Sequence, residues 1–152
     1  SDIGGTHMIS KTYPLGSFER YPYVVILSRM DGQFLLSRHK QRTTWEFQGG
    51  HIEQGETPLQ AAKRELFEES GATAFEIELL CDYWAGSEDG KSGACGVVFT
   101  AEIQKLGPLP ESEMAETRLF ESLPEQMTYP AITAAIMAYW GKNIQPHGLT
   151  QG

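Results

Sequence analysis

Between Thr57 and Gly71 the chain carries a complete set of helix-boundary signals. Thr57 stands as a capping hydroxyl, Pro58 fills the first helical position, Gln60 can close a capping box, and Gly71 offers a left-handed stop. A helix over about 58–70 follows, with Leu59, Ala62 and Leu66 as its core-facing stripe. The segments around it read as strands. Tyr21-Pro22-Tyr23-Val24-Val25-Ile26-Leu27-Ser28 and Gln33-Phe34-Leu35-Leu36-Ser37-Arg38 are separated by Asp31-Gly32, a hairpin signal. A second hairpin is predicted from Phe75–Trp84 and Ala94–Ile103 around the polar Gly-Ser stretch 86–93. A second helix is predicted from Pro130 to near Gly141, covering the sheet with Ile132, Ala135, Ile136 and Tyr139.

With 152 residues there is room for one ordinary domain, and 40% hydrophobic with 21% charged residues is an ordinary globular composition. The net charge of −8 repels nucleic acid and anionic membranes, so a phosphate-bearing ligand needs local cations or a metal. No apolar run approaches the roughly 18 residues of a membrane span. Residues 1–7 have neither the basic start nor the apolar middle of a secretory signal and read as a cloning remnant. The expected layout is a single domain over 8–145 and a tail over 146–152. Cys81 and Cys95 form no Cys-x-x-Cys pair, which predicts two reduced thiols and a cytoplasmic location.

The first helix places Glu65, Glu68 and Glu69 within a sector of about 100°. Like charges three and four apart weaken a helix, and only Arg64 lies close in sequence to offset them. An acidic, solvated helix face is one reading. The other is a hard-cation site: oxygen ligands suit Mg²⁺ or Mn²⁺, and Mg²⁺ shares its shell with substrate phosphates.

Reading outward, Gly50 is followed after five residues by Glu56 and after seven more by Arg64-Glu65-Leu66, then Phe67, Glu68-Glu69, Ser70, Gly71 and Ala72. This string resembles the Nudix box, the signature of the Nudix hydrolases. Trp45-Glu46-Phe47 before Gly49-Gly50, the strand pairs and the late proline-started helix extend the similarity over residues 20–141. The resemblance implies an α/β (α+β) fold, a mixed sheet sandwiched between helices, with the box as loop–helix–loop. It also implies hydrolysis of a nucleoside diphosphate linked to another group, with water as nucleophile and Mg²⁺ or Mn²⁺ as cofactor. By matching box positions it assigns the metal to Glu65, Glu68, Glu69 and the Gly49 carbonyl, while Arg64 and Glu56 orient that set. Glu65 or a glutamate from a later loop is the implied general base, and Glu116 is preferred over Glu113 by its spacing to Arg118-Leu119-Phe120.

On the substrate side Arg38 and Arg42 are the nearest candidate phosphate cations, and Trp84, Tyr83, Phe34 and Phe99 are aromatics able to stack a base or fill the core. Two positions depart from the family pattern. Gln48 stands where many relatives have proline, removing a rigid constraint and supplying an amide. Thr128-Tyr129-Pro130 stands where MutT-type enzymes carry a purine-reading asparagine, which predicts loose base selectivity. The leading expectation is conversion of a nucleoside triphosphate to monophosphate and pyrophosphate, as in nucleotide-pool sanitation. Alternatives are ADP-ribose, another nucleoside diphosphate derivative, an RNA 5′ end, or a non-catalytic nucleotide-binding domain. A small-molecule partner is favoured, and the oligomeric state is left open.

Overall fold

A two-residue turn begins the sheet: Asp31 at φ 53° and Gly32 at φ 77° join β2 (Tyr23–Met30) to β3 (Gln33–His39). Paired positive φ values give the backbone twist that two-residue hairpins require. In the computed structural model, which describes residues 7–151, β2 also runs parallel to β7 (Gly93–Leu106). β7 is antiparallel to β6 (Ala72–Ser87), the expected long hairpin, and β1 (Met8–Tyr13) lies along β6 at the edge. The short β4 (Trp45–Glu46) and β8 (Met114–Phe120) pair with β3, while β5 (Gln48–His51) pairs with β2. The result is a mixed 8-stranded sheet. Of the 1–7 segment, residues 1–6 lie outside the described residues.

Strand alternation divides the interior between two helices. Val24, Ile26, Leu35, Val97 and Phe99 pack with Ala61, Ala62 and Leu66 of α1 (Pro58–Ser70). Leu27, Leu36, Trp45, Phe47, Tyr83 and Val98 pack with Ile136 of α2 (Pro130–Gln151). Period-2 side-chain alternation sends neighbouring residues of β2 to opposite helices, so the sheet is covered on both faces.

α1 begins and ends as its sequence requires: Thr57 Oγ1 accepts from the Gln60 amide, the Gln60 side chain accepts from the Thr57 amide, and Gly71 closes the helix at φ 82°. Leu59 departs from its expected core position and is 42% exposed. It sits in the first turn, beyond the sheet interior, beside Leu79, which is also exposed. α2 runs past Gly141, taking in the expected tail except Gly152. An interior glycine costs a helix only about 1 kcal/mol and stops it only where a left-handed cap forms.

Gln48 does more than replace a proline. Fully buried, it accepts from Ser28 Oγ (2.5 Å) and donates through Nε2 to the Leu35 carbonyl (3.1 Å) and Ser37 Oγ (2.9 Å). Ser37 Oγ in turn donates to the Glu69 carbonyl at 2.8 Å, tying the end of α1 to the sheet. The rigidity that proline lends through its ring is supplied here by hydrogen bonds. Gln48→Leu is expected to destabilise the fold by about 2–4 kcal/mol in urea unfolding, because several buried polar groups lose their partners at once. A change below about 0.5 kcal/mol refutes this role.

Candidate active site

The loop from β5 into α1 brings backbone and carboxylates into close register. A Cβ on Gly50 would overlap the Glu65 carboxylate, and one on Gly49 would overlap the Val24 carbonyl. Only glycine lets this strand lie so close to both. The Gly49 amide donates to Glu69 Oε1 at 3.0 Å.

Arg64 organises the other acids. Its Nε and Nη2 donate to the two oxygens of Glu56 at 2.6 and 3.0 Å, a bidentate pair. Nη1 reaches Glu65 Oε2 and Glu68 Oε1, both at 3.3 Å, and Nη2 also donates to the His51 carbonyl at 3.1 Å. Helix and loop are thereby held as one unit. The guanidinium pulls Glu56 down to about 2, and Glu56 holds Arg64 above its ordinary value. Glu53 lies at 3.8 Å from Arg64, on the solvent side.

Burial has the opposite effect on the remaining acids, pushing Glu65 up to about 7 and Glu69 up to about 8. Arg64 partly offsets the cost at Glu65, and the Gly49 amide partly offsets it at Glu69, where Glu65, Glu46 and Glu113 add repulsion. The three helix carboxylates share one side of α1 without being drawn together: among the described residues no group of three His, Cys, Asp or Glu side chains stands within metal-holding range. Arg64 engages Glu65 and Glu68 while the Gly49 amide engages Glu69, so protein donors compete for the same oxygens. The donor chemistry still fits a hard divalent cation, since every candidate atom is oxygen and, among the described residues, no cationic side chain bonds the partly buried Glu69 carboxylate.

Beside the glycine pair opens a cleft of about 420 Å³, walled by Tyr23, Phe47, Tyr83 and the α2 residues Ile132 and Ile136. Glu46, Tyr129 and Thr133 supply polar groups. The size and mostly apolar lining with a few polar groups suit a small organic ligand.

A family model described as the NUDIX domain matches residues 19–135. The chain belongs to the Nudix hydrolase family. It is 31% identical over 121 residues to the putative 8-oxo-dGTP diphosphatase YtkD of Bacillus subtilis, covering 74% of this chain and 73% of that protein. An RNA pyrophosphohydrolase of Francisella philomiragia is 46% identical over 57 residues, 38% of this chain and only 36% of that protein. In structure the chain resembles the B. subtilis pyrophosphohydrolase BsRppH, with TM-score 0.74, 23% identity and coverage of 89% of this chain and 88% of that one.

Within this Nudix fold the remaining expected site residues separate. Trp84 does not line the cleft; its neighbour Tyr83 does, because adjacent strand residues face opposite ways. Phe34 and Phe99 are buried in the core. Arg38 Nε donates to Glu116 Oε2 at 2.8 Å and its Nη1 to the Arg42 carbonyl at 3.0 Å, so its charge is already partnered across β3 and β8. Glu116, the expected proton acceptor, is thus paired with Arg38, which holds its carboxyl below the usual range. Arg42 points Nη1 toward Glu46 Oε1 at 3.5 Å. The His51 ring rests on Tyr23 at 4.4 Å between centroids. Sequence reasoning missed Glu46 as a site residue. Its signal was an acid between Trp45 and Phe47, both buried.

Among the described residues no helix is long and apolar enough to cross a membrane.

Proposed function

We propose that this Nudix hydrolase converts a nucleoside triphosphate into the nucleoside monophosphate and pyrophosphate, with Mg²⁺ or Mn²⁺ as cofactor. The observation that carries the reading is the dual position of Gly49-Gly50. This pair borders the cleft on one side and packs against Glu65 and Glu69 on the other, so a base in the cleft leaves its phosphates beside the acids.

Glu65, Glu68, Glu69 and the Gly49 carbonyl are the groups that would hold the cation. The chemistry supplied there is polarisation of phosphoryl oxygens and acidification of water. Arg64, fixed on Glu56, orients the helix carboxylates, and Arg42, with 42% of its side chain exposed, is the available cation for phosphate oxygens. Water oxygen forms the new bond to phosphorus, the anhydride P–O bond breaks, and its electron pair leaves with pyrophosphate. Glu65, packed against the Gly50 backbone beside the other helix acids, accepts the water proton.

The test is a hydrolysis panel in Mg²⁺ or chelator over ordinary and oxidised nucleoside triphosphates, ADP-ribose and 5′-triphosphorylated RNA, with products identified. Monophosphate and pyrophosphate from triphosphates support the proposal; turnover confined to other members refutes it. A 5′-triphosphorylated RNA end is the second reading, favoured by the similarity to RNA pyrophosphohydrolases and opposed by the net charge of −8. Both cysteines are free, which fits a reducing cytoplasmic setting.

Glu65→Gln is expected to lower kcat by about 10²-fold or more, whereas Glu116→Gln, whose amide oxygen can still accept from Arg38, costs less than about fivefold. Parallel kcat measurements decide it. A larger loss in Glu116→Gln returns the base to β8.

A further inference from the structure

We infer that Glu46 is the specificity-determining residue of the cleft, selecting a base whose edge presents two adjacent N–H donors, as guanine does with N1–H and its 2-amino group. This rests on the reading above that a nucleotide occupies the cleft. Glu46 lies at the end of β4 with its side chain only 10% exposed, yet it lines the cleft. Its one side-chain hydrogen bond among the described residues is the long 3.5 Å contact from Arg42 to Oε1. Among the described residues Oε2 has no hydrogen-bond partner, and the residue lines the cleft. A carboxylate held this deep in a cleft wall with an unpartnered oxygen is an acceptor for a ligand's donors.

The chemistry selects the edge. A carboxylate offers acceptors only, and its two oxygens match the spacing of N1–H and the 2-amino group. Adenine and cytosine each place a lone pair beside their amino group and would meet the carboxylate with repulsion, while hypoxanthine supplies one donor instead of two. Oxidation at C8 leaves the N1 and 2-amino donors unchanged, so Glu46 does not distinguish 8-oxoguanine from guanine. Selection through an acid that reaches the cleft from another strand runs against the loose selectivity expected from the absent asparagine. Gln48 cannot serve, since its amide is engaged by Ser28, Leu35 and Ser37.

The experiment compares kcat/KM for GTP, ITP and ATP, and for 8-oxo-dGTP beside dGTP, in the wild-type protein and in Glu46→Gln. Equilibrium binding of GMP, IMP and AMP is measured alongside. The wild type is expected to prefer GTP over ITP by about tenfold and over ATP by about 10²-fold or more, with dGTP and 8-oxo-dGTP within about threefold. Glu46→Gln should reduce the GTP-to-ATP ratio at least about tenfold and raise ATP turnover, because an amide can both accept from and donate to adenine. A purely structural role would lower all substrates together. Wild-type GTP, ITP and ATP within about threefold, or a uniform loss in the variant, overturns the proposal. The monophosphate series separates the two readings: absence of triphosphate hydrolysis refutes the proposed reaction, while GMP binding above IMP and AMP still upholds Glu46, and equal binding of all three overturns it.

Discussion

Glu69→Gln and Glu68→Gln are each expected to reduce Mg²⁺-dependent turnover by at least about 10²-fold while leaving the fold intact. The two substitutions reach this result by different routes. Glu69 is partly buried, raised to about 8, and bonded by the Gly49 amide. Glutamine keeps that hydrogen bond through its amide oxygen and removes a charge that burial penalises, so melting in chelator should not suffer. Glu68 is 48% exposed and its structural tie is the Arg64 contact at 3.3 Å. Such a surface pair contributes about 0.3–0.5 kcal/mol, too little to unfold the domain. The loss in both variants is therefore one of cation binding, visible as a higher Mg²⁺ requirement and a lower plateau. Steady-state rates over a Mg²⁺ titration, with thermal melts of the same samples, check it. Full activity in both variants, or in excess chelator, rejects the cation assignment.

Legibility in the sequence follows the range over which each feature is decided. The α1 caps and the Asp31-Gly32 turn depend on residues within a few positions of one another, and each forms where its local chemistry places it. The box spacing likewise needs only one helix and its leading loop. Gln48 illustrates the opposite case: its partners Ser28, Leu35 and Ser37 lie on two other strands and become neighbours only when β2, β3 and β5 are paired. The Arg38–Glu116 pair depends on the β3–β8 register, including the irregularity at Arg38/His39. Whether Tyr83 or Trp84 faces the cleft rests on a single step of strand phase, which composition leaves open. Glu46 is hidden for a related reason, because its cleft exists only once α2 packs near β4 and β5.

Without divalent cation, the protein is expected to lose stability as pH rises from about 5 to about 8, the reverse of the usual carboxylate behaviour. Glu65 and Glu69 are raised from an ordinary 4.5 to about 7 and about 8 by burial. Below 4.5 both are protonated in folded and unfolded chains, so their contribution to stability is fully present. Through the window up to about 8 the unfolded carboxyls ionise freely while the folded ones retain protons, and stability declines. Each pKa unit corresponds to about 1.4 kcal/mol, so with partial solvent screening the two groups together account for a few kcal/mol. Glu56 runs the other way: lowered to about 2 by Arg64, its contribution is present above 4.5 and lost as pH falls toward 2. A cation bound by the helix carboxylates must displace the retained protons, so its stabilisation grows with pH, reaching about 2.7 kcal/mol at a hundred times its Kd. Thermal melts in chelator and in Mg²⁺ at steps between about pH 5 and 8.5 should therefore diverge, with the cation effect largest at the alkaline end. Combining Glu65→Gln with Glu69→Gln should flatten the chelator profile and abolish the divergence. A Mg²⁺ shift equal at both ends of the range would mean that the cation binds through other groups.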